Sequence, residues 1–364
     1  MFYPQRKKNA LIQRIVLLTG SLILSTISFN VHALGTQNIQ AGLEVITPED
    51  AGWSSQKLVE AKAFAETINS AAVMVLYDGK VLVSWGNVAK KYRLHSIRKP
   101  LLSALYGIYQ GRGKIDLDAT LEELNIDDIP PGLTKEEKKA KVRDLLKSCS
   151  GVYHEAAAET KEMAEARPAR GSHPPGAFYY YNNWDFNALG SIFEKATGAK
   201  IFEAFKKEIA DPIGMEDFSL EDCEYSLEEN KSLHPAYSFR MSARDLARFG
   251  LLYLRKGNWN GKQIIPRDWV EESTRVQAMV SEEMGVGYGY MWNIVIPGSV
   301  FSNMIFDGQG GFYHTGVGIH TLSVLPGHKI VYVYRYDTDG EFQDPGDATI
   351  QLVAMIMKAG IAKK

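Results

Sequence analysis

Cysteine, metal-binding patterns and net charge are all scarce in this sequence, and each scarcity argues against a class of function. Only two cysteines, Cys149 and Cys223, occur in 364 residues. A disulfide between them is possible in an exported protein, but two separate buried thiols fit the sequence equally well. No histidines or cysteines recur at the spacing of a metal site, so no metal site is predicted. The net charge of −2 argues against binding to nucleic acid or to an anionic membrane.

Residues 1–33 have the pattern of a secretory signal peptide. Four basic residues occur among the first 14, a mostly apolar run follows over 15–29, and Val31-His32-Ala33 fits a cleavage site. A membrane anchor is the alternative, but this run is shorter than the ~20 residues that a spanning helix needs. The sequence therefore predicts export to the periplasm or the medium, with cleavage near Ala33. The mature chain is then expected to keep no stable membrane anchor.

The distribution of strand and helix patterns predicts a fold built from both ends of the chain. Two β-rich runs flank Asp78-Gly79, which is typical of a hairpin turn, and further strand patterns occur near 285–290 and over 311–336. Helical patterns fill the middle. We therefore expect a signal peptide (1–33), a discontinuous α/β domain (34–90 and 280–364) and an inserted helical domain (91–279).

A Ser-x-x-Lys motif at Ser96 and Lys99 begins an apolar run with helical spacing. Positions i and i+3 share one helix face, so the lysine amine can reach the serine hydroxyl. A serine is a weak nucleophile, and a desolvated lysine with a lowered pKa can act as its base. The helix start also supplies N–H groups for a developing oxyanion.

The motif alone is weak, because a chain of this length contains about one Ser-x-x-Lys by chance. A second copy is present at Ser54 and Lys57. We interpret Ser54 as the N-cap of a surface helix, since amphipathic spacing follows it. The assignment of Ser96 as a nucleophile therefore needs support from other motifs in the chain.

Two later motifs supply that support. Tyr181 and Asn183 are two residues apart. A tyrosine hydroxyl beside a cationic lysine can act as a general base, and the asparagine amide can bind both the lysine and a substrate carbonyl. His314-Thr315-Gly316 enters a strand, where a glycine lets a ligand approach closely. The following N–H, on Val317, is a candidate oxyanion donor.

Taken in this order, the three motifs resemble those of the serine β-lactamase and penicillin-binding-protein superfamily. The Tyr-x-Asn form of the middle motif is similar to the class C branch, which also contains esterases, amidases and DD-peptidases. The segments 212–215 and 242–250 resemble that branch too. The resemblance covers about residues 45–360. It implies an α/β (α+β) fold of the β-lactamase/transpeptidase type, with an antiparallel sheet flanked by helices and an inserted all-helical domain.

The resemblance also implies a role for each residue. Ser96 would be the acylated nucleophile, Lys99 the neighbouring base, and Tyr181 the group that moves a proton to and from the leaving group. Asn183 would position the lysine and the substrate. His314, Thr315 and Gly316 would bind substrate, and the N–H groups of Ser96 and Val317 would form the oxyanion hole. No cofactor is implied.

Two residues depart from the family pattern. His314 stands where class C β-lactamases have a lysine, which binds a substrate carboxylate as a point charge. A neutral histidine supplies less charge, which argues against efficient β-lactam hydrolysis. Some DD-peptidases and amidases of the family carry a histidine at this position, so the alternative of such an activity stays open. Pro100 follows the lysine where a small polar residue is usual, but proline is tolerated in a first helical turn.

The sequence therefore predicts an exported serine hydrolase that cleaves an ester or amide through a Ser96 acyl-enzyme. A DD-carboxypeptidase or penicillin-binding activity on cell-wall peptides is an alternative, which Arg167 or Arg170 near the cleft would favour by holding a terminal carboxylate. A non-catalytic ligand-binding module on the same fold is an alternative of another class. The expected partner is a small-molecule ester or amide, or a peptide.

Overall fold

The structure is a computed structural model, and it describes residues 42–360. The predicted signal peptide therefore lies outside the described residues. The α-helices are numbered in chain order: α1 Ser55–Thr67, α2 Arg98–Gly111, α3 Val142–Leu146, α4 Lys161–Ala166, α5 Asn183–Thr197, α6 Ile201–Phe205, α7 Ala243–Leu254, α8 Arg267–Ser273, α9 Val300–Ile305 and α10 Ala348–Gly360. No helix in this part of the chain is long and apolar enough to cross a membrane.

The strands are likewise numbered in chain order: β1 Ala72–Tyr77, β2 Lys80–Gly86, β3 Tyr92–Arg93, β4 Cys223–Ser226, β5 Ala236–Met241, β6 Asn258–Trp259, β7 Lys262–Gln263, β8 Ala278–Ser281, β9 Val286–Tyr288, β10 Asn293–Val295, β11 Gly311–Gly316, β12 His320–Leu325 and β13 Ile330–Arg335. Eight of them form one sheet in the order β2-β1-β13-β12-β11-β10-β9-β8. All neighbouring pairs in this sheet are antiparallel.

The chain folds its two ends into this sheet as the sequence predicts. Asp78 and Gly79 both have positive φ (49° and 84°), the geometry of a tight hairpin turn that joins β1 to β2. Strand β13 then pairs with β1, with Val75 opposite Tyr332. The N-terminal hairpin is thereby fixed to the C-terminal strands.

Helices cover both faces of the sheet. On one face, α1 and α10 pack against β1 and β13, and Leu58, Ala61 and Leu352 belong to the same buried cluster as Val73 and Tyr334. On the other face, α7 lies so close to the sheet that a Cβ on Gly250 would be 2.5 Å from the side chain of Val331. Both faces are therefore excluded from water, as the mixed α/β layering requires.

The segment between β2 and β8 is not all helical, which corrects the sequence expectation. Strands β3, β5 and β4 form a small antiparallel sheet, and β6 and β7 form a short hairpin. The cause is visible in β5, where Tyr237, Phe239 and Met241 alternate with less buried residues. This period of two is a strand pattern that a helix cannot satisfy. Residues 44–360 lie in one compact unit, and the proposed boundaries at 90 and 280 remain a prediction.

Helix α2 runs through the middle of the protein and is buried on nearly every side. Tyr106 donates a hydrogen bond to the Leu189 carbonyl (2.7 Å), and Ser103 donates to the Tyr290 carbonyl (2.8 Å). A Cβ on Gly107 would lie 2.2 Å from Trp269. These contacts hold the helix rigidly from three directions, so the residues at its N-terminus have fixed positions.

Candidate active site

Ser96 lies in a short 3-10 turn, His95–Ile97, that leads directly into α2. Its predecessor His95 has a left-handed backbone (φ 50°), which is uncommon for a residue with a side chain. The His95 ring is hydrogen-bonded through Nε2 to Thr338 Oγ1 (2.8 Å), and Ile97 is fully buried. The turn therefore presents Ser96 on a strained but well-anchored backbone, which is a frequent arrangement at functional sites.

Lys99 is buried beside Ser96, with only 1% of its surface exposed. Its Nζ is hydrogen-bonded to Ser96 Oγ at 2.9 Å. The amine lies 4.9 Å from the ring centre of Tyr181 and 4.7 Å from that of Phe186. Burial, together with the positive charge of Arg98, lowers the pKa of Lys99 well below its usual value. A neutral amine at this distance can accept the serine proton.

Tyr181 lies just before α5, where Asn182 caps the helix by accepting a hydrogen bond from the Trp184 N–H (3.2 Å). Burial raises the pKa of Tyr181, and a hydrogen bond with Ser96 opposes the rise only in part. Tyr181 therefore keeps its phenolic proton near neutral pH. The lowered pKa that the sequence suggested for Tyr181 is not found, and its predicted role in moving protons stays a prediction. A protonated Tyr181 is suited to donate a proton to a leaving group.

Asn183 is the first residue of α5 and is almost fully buried. Its Nδ2 donates a hydrogen bond to the Ala158 carbonyl (2.8 Å), so the amide holds the loop that precedes α4. Its Oδ1 has no hydrogen-bond partner among the described residues. The predicted bond to Lys99 is absent from the described contacts, and the binding of a substrate by Asn183 stays a prediction.

The third motif lies on β11, where the sheet approaches the nucleophile. Strand β11 pairs with β12 up to Gly316 but with β10 only as far as Tyr313. His314-Thr315-Gly316 therefore has one backbone edge that no strand covers. A Cβ on Gly316 would lie 2.7 Å from the Leu94 carbonyl oxygen and 3.4 Å from the Ser96 nitrogen. The glycine thus allows β11 to contact the turn that carries Ser96. Val317 follows at the start of a 3-10 turn, and its oxyanion role stays a prediction.

His314 is a neutral hydrogen-bonding group in this site. It is 1% exposed, and its ring centre lies 6.2 Å from that of Tyr181. Its Nδ1 donates to the Thr315 carbonyl (2.9 Å), so Nε2 carries the lone pair, and Nε2 has no partner among the described residues. Burial lowers the pKa of His314 well below its usual value. The position that holds a lysine in class C β-lactamases therefore carries no charge here.

Several buried residues that pack around the predicted site residues were not predicted from the sequence. Arg98 lies within the Ser-x-x-Lys motif itself and is buried against Tyr237. Tyr288 on β9 packs near Tyr181, with ring centres 6.2 Å apart. The available sequence signal was the position of Arg98 inside the Ser-x-x-Lys motif. The positions of Tyr237 and Tyr288 follow from strand pairing across long sequence separations, which no local pattern reveals.

The described residues contain neither a disulfide between the two cysteines nor a cluster of metal ligands. Cys149 is buried and Cys223 partly buried, and both are free thiols. No group of three or more potential ligands that could hold a metal ion occurs in this part of the chain. A cavity of about 450 Å³ lies between residues 176–179 and 277–280. It borders Tyr179, which packs against Tyr288 (5.3 Å between ring centres), so it lies beside the Ser96 group rather than at it.

An antiparallel sheet covered by helices, with a hydrogen-bonded Ser–Lys pair beside its free strand edge, defines a serine hydrolase fold of the β-lactamase type. The family model described as Beta-lactamase matches residues 55–355, and the chain belongs to this family. A protein of Alkalihalophilus pseudofirmus, itself uncharacterised, is 29% identical over 103 residues. That alignment covers 28% of this chain and 30% of the relative's length.

Solved structures of low sequence identity share the fold. A proposed 6-aminohexanoate-dimer hydrolase from Bacillus anthracis is 20% identical, with a TM-score of 0.65 and 87% of each chain covered. An octameric penicillin-binding protein homologue from Pyrococcus abyssi is 21% identical, with a TM-score of 0.61, covering 85% of this chain and 78% of the other. A class C β-lactamase is 15% identical, with a TM-score of 0.59, covering 85% of this chain and 98% of the other. These similarities confirm the predicted fold.

Proposed function

We propose that this protein hydrolyses an ester or amide bond through an acyl-enzyme formed on Ser96. The observation that carries the proposal is the buried Lys99 amine, which lies 2.9 Å from the Ser96 hydroxyl oxygen and whose pKa burial lowers well below its usual value. A base that is both neutral and within hydrogen-bond reach is what serine activation requires.

Acylation removes one proton from Ser96 and delivers one proton to the leaving group. Lys99 Nζ takes the proton of Ser96 while Oγ forms a bond to the substrate carbonyl carbon, and the carbonyl oxygen becomes an oxyanion facing the N–H groups of Ser96 and Val317. The bond to the leaving alcohol or amine then breaks, and Tyr181 donates its proton to that group. The proton on Lys99 restores Tyr181. The serine is now esterified, and both helpers have returned to their starting forms.

Deacylation repeats these steps with water as the nucleophile. Lys99 accepts a proton from the water through Tyr181 while the water oxygen attacks the ester carbonyl carbon. The intermediate collapses, the bond to Ser96 Oγ breaks, and the proton returns to the serine. The product is a carboxylic acid.

The charges near the cleft favour a substrate that has no carboxylate to anchor. His314 is neutral, so it does not replace the lysine of β-lactamases as a point charge. Arg170 makes a two-pronged ion pair with Glu137 (2.8 and 2.9 Å), and Arg167 is paired with Glu159. The arginines that would have favoured a carboxypeptidase are therefore already occupied. This supports an ester or amide over a cell-wall peptide, and export with the substrate outside the cytoplasm remains part of the proposal.

A comparison of substrates tests this function. The mature protein is assayed with p-nitrophenyl butyrate, an uncharged anilide, a peptide ending in D-Ala-D-Ala, and a chromogenic cephalosporin. We expect turnover of the ester and anilide and little of the peptide or the cephalosporin, with all turnover lost in Ser96→Ala. Ser54→Ala is the matched control, because it removes the serine of the second Ser-x-x-Lys and should keep native rates. Preferential cleavage of the peptide would overturn the substrate assignment, and no turnover or acylation by any of the four would favour a binding module.

A further inference from the structure

A short segment after β13 contacts the turn that carries Ser96. Residues 337–339 form this segment, which we call the strap. The Thr338 hydroxyl, in the middle of the strap, is hydrogen-bonded to the His95 ring, with 2.8 Å between Oγ1 and Nε2. His95 directly precedes Ser96 in the sequence. The strap therefore reaches the backbone of the candidate nucleophile through one side-chain contact.

Ion pairs to two other segments hold the strap in place. Lys90, which lies between β2 and β3, pairs with Asp337 (2.6 Å). Arg240 on β5 binds Asp339 through both of its terminal nitrogens, and the Asp339 N–H donates to Asp337 Oδ1 (3.1 Å). An exposed ion pair contributes little alone, but a two-pronged arginine contact also fixes geometry. Thr338 is thus restrained by the residues on both sides of it.

Thr338 also contacts the turn that contains Val317, the second predicted oxyanion donor. Gly318 in this turn has a left-handed backbone (φ 76°), and a Cβ on it would lie 2.6 Å from Thr338 Cγ2. Ring carbons of Tyr336 and Phe342 lie 3.6 Å from the same position. One threonine therefore contacts both turns, with its hydroxyl on the nucleophile turn and its methyl group on the other.

The hydroxyl contact matters because the backbone of His95 is strained. Its φ of 50° is uncommon for a residue with a side chain, and such a conformation persists only where the surroundings over-determine it. A Cβ on Gly316 would lie 3.0 Å from the His95 Cβ, and the ring centre of His320 lies 5.5 Å from that of His95. These neighbours restrict the space around His95, whereas Thr338 supplies a directional bond that fixes the ring.

We propose that Thr338 is a positioning residue, whose hydroxyl holds the His95 ring and thereby fixes the backbone that presents Ser96 for acylation. The inference rests on the proposed function. Without the hydroxyl, His95 can relax toward an ordinary backbone conformation, which displaces the Ser96 hydroxyl from the Lys99 amine. Since a displacement of 1 Å can reduce a rate about a hundredfold, the loss should appear in the chemical step and not in binding.

The first test compares two variants of Thr338 by intact mass during fluorophosphonate labelling. The limiting rate and the reagent concentration that gives half of it are measured separately. Thr338→Val keeps the shape and removes the hydroxyl, so we expect a limiting rate at least about tenfold lower with a half-saturating concentration within about twofold. Thr338→Ser keeps the hydroxyl and should stay within about threefold of native. Thr349→Val is the control, because this hydroxyl donates within its own segment, to the Gly346 carbonyl (2.9 Å).

A double-variant comparison tests whether Thr338 acts through His95. His95→Asn removes the ring, and asparagine is one of the residues that tolerate a left-handed backbone. On this background we expect Thr338→Val to change the limiting rate by less than about twofold, because the bond that it would break is already absent.

The outcomes separate this inference from the proposed function. Slower labelling of Thr338→Val, native-like rates in Thr338→Ser and the control, and no further loss on the His95→Asn background would establish the role. A native rate in folded Thr338→Val, an equal loss in Thr338→Ser, or a full additional loss on the His95→Asn background would overturn it. Absence of labelling on native Ser96 would contradict the proposed function, and the inference with it.

Discussion

Replacing Gly316 by alanine is expected to separate the sheet from the nucleophile turn. The added Cβ would lie 2.7 Å from the Leu94 carbonyl oxygen and 3.0 Å from the His95 Cβ. Ordinary carbon–oxygen contacts are no shorter than roughly 3.3 Å, so one backbone must move by about 0.6 Å. Gly316 has φ −122°, a conformation that alanine adopts freely, so the predicted effect comes from contact and not from backbone strain.

The expected magnitude has a stability part and a rate part. Forcing an extra methyl into a packed contact costs about 1–3 kcal/mol, which lowers the melting temperature by roughly 2–10 °C. A displacement of 1 Å can reduce a catalytic rate about a hundredfold, so a shift of about 0.6 Å should slow labelling of Ser96 by at least about tenfold.

Two measurements on each variant check this prediction. The labelling rate is followed by intact mass with a fluorophosphonate in excess, and unfolding is followed by circular dichroism during heating. Gly111→Ala is the matched control: it lies at the end of α2, its added Cβ meets only Pro266 at 3.1 Å, and alanine is favoured in helices. A native labelling rate in Gly316→Ala, with an unchanged melting temperature, would show that β11 does not contact the Ser96 turn as described.

Three further predictions concern Tyr181, Ser150 and the two cysteines. Tyr181→Phe should slow anilide hydrolysis about 100-fold but p-nitrophenyl ester hydrolysis less than about tenfold, because p-nitrophenolate leaves without a proton; equal losses on both substrates would contradict the proton-donor role. Ser150→Ala should cost about 1–3 kcal/mol in the free energy of unfolding measured in urea, because its hydroxyl is hydrogen-bonded to the buried Asp185 carboxyl (2.5 Å); an unchanged urea midpoint would refute this. Thiol titration of the unfolded, unreduced protein should find two free thiols, Cys149 and Cys223, and none would indicate a disulfide.

Local sequence patterns predicted those parts of the fold that depend on near neighbours. The Asp78-Gly79 turn forms the expected hairpin, and Ser54 caps α1 by accepting a hydrogen bond from the Lys57 N–H (3.3 Å). The Ser96–Lys99 pair lies at a helix start with the two side chains in contact, as the i, i+3 spacing requires.

The parts that failed depend on contacts between distant segments. The small sheet of β3, β4 and β5 was missed because its strands are short and lie far apart in sequence. Asn183 was expected to hold Lys99, but its amide instead binds the Ala158 carbonyl, a contact that only the packed loop creates. The same holds for the pairing of Arg170 with Glu137, which removes a cation that the sequence left available.

The protonation states of the site could not be predicted from motifs either. A tyrosine beside a lysine suggested a lowered tyrosine pKa, yet burial governs both groups, because it lowers the pKa of the amine and raises the pKa of the phenol. The sequence identifies which groups meet, whereas the depth at which they are buried decides which of them carries the proton.

The most direct test of the central claim is the intact mass of the mature protein after exposure to a fluorophosphonate. The mechanism predicts a single adduct on the native chain, no adduct on Ser96→Ala, and at least about a thousandfold slower labelling of Lys99→Met, which cannot accept the serine proton. An adduct that persists in Ser96→Ala, or native labelling of Lys99→Met, would contradict the assignment of Ser96 and Lys99 as nucleophile and base.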